Sequence, residues 1–237
     1  MARFLILISL FFAFLAPGPN QPVQTIQIPQ TGTAGNTSTQ TKNSASLPSL
    51  TTFLPAIKNG NAKQLVGVFI DRTFAFRIVQ QPASNAGFVS SEPEVVTQFS
   101  LASQYGSIGL LAHNTAAGEY FADITNGQKI ILVYGDGHLK YYQVTQIRKF
   151  QALSPTSPYS NFADLAAPDR VLSVENLFYQ IYQSDGDLVF QTCIEKNGES
   201  SWGRLFIIAH PIEFSAPARH FRFSRLAQFN TLPLAIE

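Results

Sequence analysis

The chain has one cysteine, Cys193, among its 237 residues. A lone thiol forms no internal disulfide, so three uses stay open: an intermolecular bridge, a small buried hydrophobe, or a nucleophile. Its neighbours bear on the choice. Leu188 to Ile194 reads as a strand, Arg204 to Ala209 as its return, and Glu195-Lys196-Asn197-Gly198-Glu199 as the turn between them. With the turn centred on Asn197-Gly198, Cys193 falls opposite residue 202, and Arg204 lies two positions beyond on the same face. A wider loop that pairs 193 with 204 directly also keeps them together, and only a one-residue slip parts them. A guanidinium beside a thiol favours the thiolate and can stabilise an oxyanion. The plainer alternative is a surface arginine on a hairpin.

His113 is the second candidate. It closes the apolar run Ile108-Gly109-Leu110-Leu111-Ala112, at a strand end where loops and sites gather. Acyl transfer through a thiol needs an imidazole to exchange protons with the sulfur and with the departing amine. Without such a partner, a histidine there is simply a satisfied polar residue. His138 follows a tight turn, His210 precedes Pro211, and His220 lies near the C-terminus. None of them has the spacing of a metal site, and there is no second thiol to help, so neither metal nor cofactor is expected.

The elements that must position these residues are mostly strands. Leu65 to Ile70 and Thr73 to Val79 are β-branched and aromatic runs parted by Asp71-Arg72. Residues 80 to 93 read as a loop. Ser107 to His113 reads as a buried strand, and Gln128 to Tyr134 and Leu139 to Phe150 flank the hairpin signal Gly135-Asp136-Gly137. One helix is expected after Ser173, where Val174, Leu177, Phe178 and Ile181 follow at helical spacing, with Ser184-Asp185-Gly186 to stop it. Ala116 to Ile124 suits a shorter one. The expected fold is all-β dominated, a closed or nearly closed barrel with a few short helices.

These stretches resemble the sortase family. Leu188-Val189-Phe190-Gln191-Thr192-Cys193, followed by Arg204 in Ser201-Trp202-Gly203-Arg204-Leu205-Phe206-Ile207, is similar to a Thr-Leu-x-Thr-Cys strand end with an arginine on the next strand. Val189 and Phe190 stand where that signature has Thr and Leu. Gly109-Leu110-Leu111-Ala112-His113-Asn114 resembles the family's strand ending in its catalytic histidine, and Phe121 to Ile130 resembles the stretch that introduces the next strand. The resemblance implies a sortase-like domain over residues 64–215, a cysteine transpeptidase with Cys193, His113 and Arg204 as its catalytic trio, and Thr192 beside the oxyanion site. It further implies a sorting-signal peptide of surface proteins as substrate, an amine of the cell wall or a pilin as acceptor, and no cofactor.

The rest of the chain fits an exported protein. Met1-Ala2-Arg3 is a short basic start, and Phe4 to Leu15 is an apolar run too short for a standard membrane span but suited to a signal peptide. Residues 1–16 are therefore a signal peptide or a short membrane anchor, placing the domain at the cell surface or elsewhere outside the cytoplasm. Residues 17–52 are rich in Gln, Thr, Ser, Asn, Gly and Pro and read as a flexible polar linker, with Phe53 to Ile57 docking on the domain. Residues 216–237 form a C-terminal tail whose Arg219, Arg222 and Arg225 read as a solvated face. The net charge of +1, from 16 basic and 15 acidic residues, leaves no electrostatic footprint for nucleic acid. Three rival readings remain. One is a non-catalytic sortase-like β domain that binds peptide or cell-surface polymer, and another is a structural β domain with a buried thiol. The third is a peptidoglycan transpeptidase of the kind that keeps His and Cys in one short segment, which the 80-residue separation of His113 from Cys193 disfavours.

Overall fold

The computed structural model describes residues 47–213. The signal-like segment, most of the polar spacer and the C-terminal tail lie outside the described residues. Ten strands form one sheet: β1 (Leu65–Ile70), β2 (Phe74–Gln80), β3 (Val95–Phe99), β4 (Ile108–Leu111), β5 (Lys129–Tyr134), β6 (Leu139–Ala152), β7 (Phe162–Asp164), β8 (Ala167–Leu172), β9 (Leu188–Lys196) and β10 (Glu199–Pro211). The order β10-β9-β4-β3-β2-β1-β5-β6 closes on itself through a β6–β10 pairing, which makes an eight-stranded barrel with β7 and β8 continuing from the β6 edge. Closure depends on the length of β6, 14 residues. Leu139 to Gln143 pairs with β5 and Phe150 to Ala152 with β7, while Tyr142 to Gln151 pairs with β10.

Alternation along the strands divides the apolar residues between two sides. Leu188 and Phe190 of β9 and Leu205, Ile207 and Ala209 of β10 point into the barrel, where Phe190 meets Phe74 and Phe121 edge-on at 6.4 and 5.0 Å between ring centres. Val189, Phe206, Ile208 and Phe150 point outward and are covered by helix α3 (Val174–Tyr182). This helix starts where Ser173 accepts a hydrogen bond from the Asn176 amide, and it lays Val174, Leu177, Phe178 and Ile181 on the sheet. Helix α1 (Leu50–Ile57), capped by Ser49, seats Phe53 on Val66, Phe69 and Val133. It begins at Leu50, inside the last residues of the stretch read as spacer. A single-turn helix α2 (Ser100–Ser103) leads into β4, and the short helix expected after His113 is a 3-10 helix over Ala117–Asp123.

Strands β3, β7 and β8 were not legible as strands. β3 pairs in parallel with β2, an association that no local turn announces. β8 reads Ala-Pro-Asp-Arg-Val-Leu and is almost wholly exposed, so it has no buried face to leave a periodic trace.

Candidate active site

Strands β9 and β10 meet at a tight turn whose Asn197 and Gly198 have φ of 55° and 81°. Both central residues are left-handed, as a two-residue hairpin turn that follows the strand twist requires. The register then changes. Glu199 faces Lys196, but Gly203 faces Ile194, so Ser200, Ser201 and Trp202 on β10 stand against Glu195 alone. This bulge of two extra residues moves Arg204 directly opposite Cys193. Because the shift is even, the side chains keep their faces, and the two expected registers converge on one outcome.

The row continues across the sheet. Arg204 faces Phe150 on β6, and Phe150 faces Asp164 on β7. On the other side of β9, parallel strand β4 pairs Ile108 with Leu188 and Leu111 with Gln191, a constant offset of 80 residues. The Ala112 amide extends that ladder by donating to the Gln191 carbonyl at 3.2 Å. His113 lies just beyond the strand, where its carbonyl accepts from the Ala116 and Gly118 amides and turns the chain into the 3-10 helix. Cys193 and Arg204 thus face each other across β9 and β10, while His113 follows β4 on the other side of β9.

Thr192 alternates to the inner face, and its hydroxyl, fully covered, has no hydrogen-bond partner. It abuts Gly118. A β-carbon at that glycine would come within 2.3 Å of Thr192 Oγ1, 2.7 Å of the His113 carbonyl oxygen and 2.9 Å of the Ala112 carbonyl oxygen. The missing side chain lets the 3-10 helix press against the ends of β4 and β9 together, which fixes where His113 leaves its strand relative to Cys193.

The site is dry. Cys193 is 4% exposed and Arg204 1%, while His113 is half-buried. Arg204 Nη1 donates to the carbonyls of Ser201 and Gly203, both at 2.9 Å, and its guanidinium carbon lies 5.9 Å from the Phe162 ring centre. Burial pushes the Cys193 thiol above its ordinary value. Arg204 and the Ser201 hydroxyl pull the other way, and Glu199 adds a smaller upward push. Burial lowers His113, opposed by a hydrogen bond from its ring to the Val89 backbone. Burial also lowers Arg204, whose positive charge Cys193 and Glu199 support. At neutral pH the resting pair is thus a thiol and a neutral imidazole.

Residues that sequence reasoning passed over complete the surroundings. Asn114 Nδ2 donates to the Ser200 carbonyl at 3.1 Å, tying the His113 turn to the β10 bulge. Glu199 Oε1 accepts from the Ser201 amide at 2.9 Å and shapes that bulge from within. No local sequence signal flags them, because the bulge that brings them in leaves no trace in Ser-Ser-Trp. No group of three or more histidine, cysteine or acidic side chains suited to a metal occurs among the described residues.

No protein-family model matches the chain, and no curated protein does. Solved structures do match. They are sortases. Streptococcus agalactiae sortase C1 in complex with MTSET aligns at TM-score 0.42 and 18% identity, over 65% of this chain and 71% of that one. Sortase A from Corynebacterium diphtheriae aligns at 0.41 and 11% identity, over 65% of this chain and 63% of that one. Clostridium perfringens sortase C with the C-terminal cell wall sorting motif aligns at 0.42 and 14% identity, over 66% and 75%.

Proposed function

We propose that this protein is a sortase-like cysteine transpeptidase, exported and working at the cell surface or elsewhere outside the cytoplasm, with residues 1–16 as its export signal or short anchor. The observation that supports the reading is the direct pairing of Cys193 with Arg204 across β9 and β10 in a water-poor place, with β4, the strand that leads to His113, on the other side of β9. Nucleophilic catalysis by sulfur needs those three functions.

The cycle moves one proton at a time. Cys193 Sγ gives its proton to the His113 ring and attacks the carbonyl carbon of a Thr or similar residue in a sorting-signal peptide. The Arg204 guanidinium stabilises the oxygen that becomes negative, and a backbone N–H near Thr192-Cys193 serves as second donor. Collapse breaks the C–N bond, and His113 returns the proton to the leaving amine. A thioester on Cys193 remains. An amine of the cell wall or a pilin then attacks it, loses its proton to His113, and carries off the acyl group while the sulfur recovers its proton. Acids, bases and charges balance without a cofactor.

The burial of Cys193 and Arg204 favours a second reading, a β domain of this fold that binds peptide or cell-surface polymer without turnover. The test is peptide cleavage by the full chain, with and without an added amine, set beside Cys193→Ala. A transpeptidase gives an acyl-enzyme that hydroxylamine releases, and the variant gives none. Cleavage or transfer that survives Cys193→Ala overturns the enzyme reading, as does a wild-type thiol silent to iodoacetamide at every pH at which the protein stays folded.

A further inference from the structure

The turn that follows β4 leaves the β9 ladder at Ala112 and closes on itself. The Ala116 and Gly118 amides donate to the His113 carbonyl, and the Glu119 amide donates to the Ala116 carbonyl. Asn114 reaches out of the turn: its Nδ2 donates to the Ser200 carbonyl at 3.1 Å, across 86 residues of sequence. Strand β9 lies between β4 and β10, so two strand spacings, about 10 Å, separate their backbones. The turn and the bulge therefore lean towards each other over the end of β9 that carries Cys193. Asparagine is common in turns because it tolerates the left-handed region and bonds its own backbone. Asn114 has no left-handed φ, and its amide points across to β10 instead.

The receiving residue adjoins the one that holds Arg204. The Ser200 carbonyl takes Asn114 Nδ2, and the carbonyl of the next residue, Ser201, takes Arg204 Nη1. Two consecutive peptide groups of the bulge thus take one donor from beside His113 and one from Arg204 itself. We propose that Asn114 is a positioning residue for the reaction, whose amide locks the turn bearing His113 to the bulge that holds Arg204 and so keeps the imidazole in reach of Cys193. This rests on the reading of His113 as proton acceptor and Cys193 as nucleophile. Asn114 touches no reacting atom and acts through His113.

A single cysteine makes the test direct. The rate of iodoacetamide capture by the full chain near pH 7 is compared in wild type, Asn114→Ala, His113→Gln and the double variant. An imidazole no longer held in reach takes the thiol proton less often, so Asn114→Ala is captured about three- to tenfold more slowly, the worth of one hydrogen bond. In the His113→Gln background the same change has no further effect, because the two residues act as a unit. A merely structural tie gives the opposite sign: loosening the turn opens a buried thiol, and capture speeds up whether or not His113 is present. Capture of Asn114→Ala as fast as wild type or faster overturns the proposal, as does any further slowing in the His113→Gln background. If Asn114→Ala does not fold, Asn114→Ser, whose shorter side chain falls away from Ser200 but suits a turn, is read in the same way. A wild-type thiol silent at every pH, or cleavage without Cys193, defeats the transpeptidase reading and this proposal with it. A reactive thiol indifferent to Asn114 defeats this proposal alone.

Discussion

The two ends of β9 sit in opposite surroundings. At its start, Ile108, which pairs with Leu188, borders an open cleft of about 770 Å³, lined by Lys140, Tyr141, Tyr142, Asp185 and Glu213 among others. His210 there is half exposed and pairs with Asp187. At its far end, Cys193, Arg204 and Ser201 are packed almost without access to water. The larger hollow has charge and room but no thiol, and what it holds is screened by solvent. The dry end has the thiol and a guanidinium in low dielectric, where each interaction counts for more and each unmade one costs more. On the proposed reading, volume alone points to the wrong end of the barrel. Chemistry follows desolvation.

The contrast breaks most visibly at Arg204. Replacing it by Ala removes the one cation of the row and leaves the Ser201 and Gly203 carbonyls without the donor described above. Loss of one transition-state donor typically costs about 10²–10³ in kcat. Arg204→Lys rescues little, because an ammonium cannot reproduce the planar fork. Steady-state peptide cleavage, with circular dichroism to confirm folding, checks both. A truncation such as Lys140→Ala at the open cleft leaves kcat within about threefold. If Arg204→Ala retains wild-type kcat, the dry end is structural and the comparison between the ends collapses.

Gly118 sharpens the comparison next. A β-carbon there collides with a hydroxyl and two backbone carbonyls at 2.3 to 2.9 Å, so Gly118→Ala must push apart the His113 turn and the Thr192 strand. Overpacking of this kind costs about 1–3 kcal/mol, read as a fall in the thermal midpoint. Cleavage falls further than stability accounts for, since the displaced group is the His113 carbonyl. A variant as stable as wild type with unchanged turnover would remove Gly118 from any part in spacing the site.

How much of this was written in the residues depends on the range of the interaction. The Cys193–Arg204 pairing was legible because a left-handed Asn-Gly turn sits between two apolar runs and limits the registers to a few. Its parity was right, but the bulge at Ser200 to Trp202 was not foreseen: Ser-Ser-Trp carries no signal for two extra residues, and the shift is paid for by contacts with Glu199 and Asn114 that come from elsewhere. α3 was legible from its cap and its period. His113 was placed at a strand end by its apolar run, while the pairing of that strand with β9 is a parallel ladder between segments 80 residues apart, which no local pattern encodes. The same is true of β3. Thr192 was expected beside the oxyanion site. The structure puts its side chain on the inner face against Gly118.

The smallest expected effect is in stability against pH, and its sign follows from two opposite shifts. The folded state lowers His113, so the unfolded chain binds its proton more readily; that contribution is present above the ordinary value of 6.5 and lost as pH falls through the folded value. Cys193 is raised in the folded state, so its contribution is present below the ordinary 9.0 and lost as pH rises through the folded value. Together they shape a plateau between about pH 6.5 and 9, bounded by one limb from each residue. Urea midpoints measured from pH 5 to 10 show it. His113→Gln flattens the acid limb and Cys193→Ser the basic one, each leaving the other in place. The open end supplies the control, because Asp187→Asn alters only a contact with a half-exposed histidine and shifts neither limb by more than a few tenths of a kcal/mol. Should Asp187→Asn flatten the acid limb as fully as His113→Gln, the proton balance of the fold would be set at the cleft, and the burial of the Cys193 end would no longer explain it.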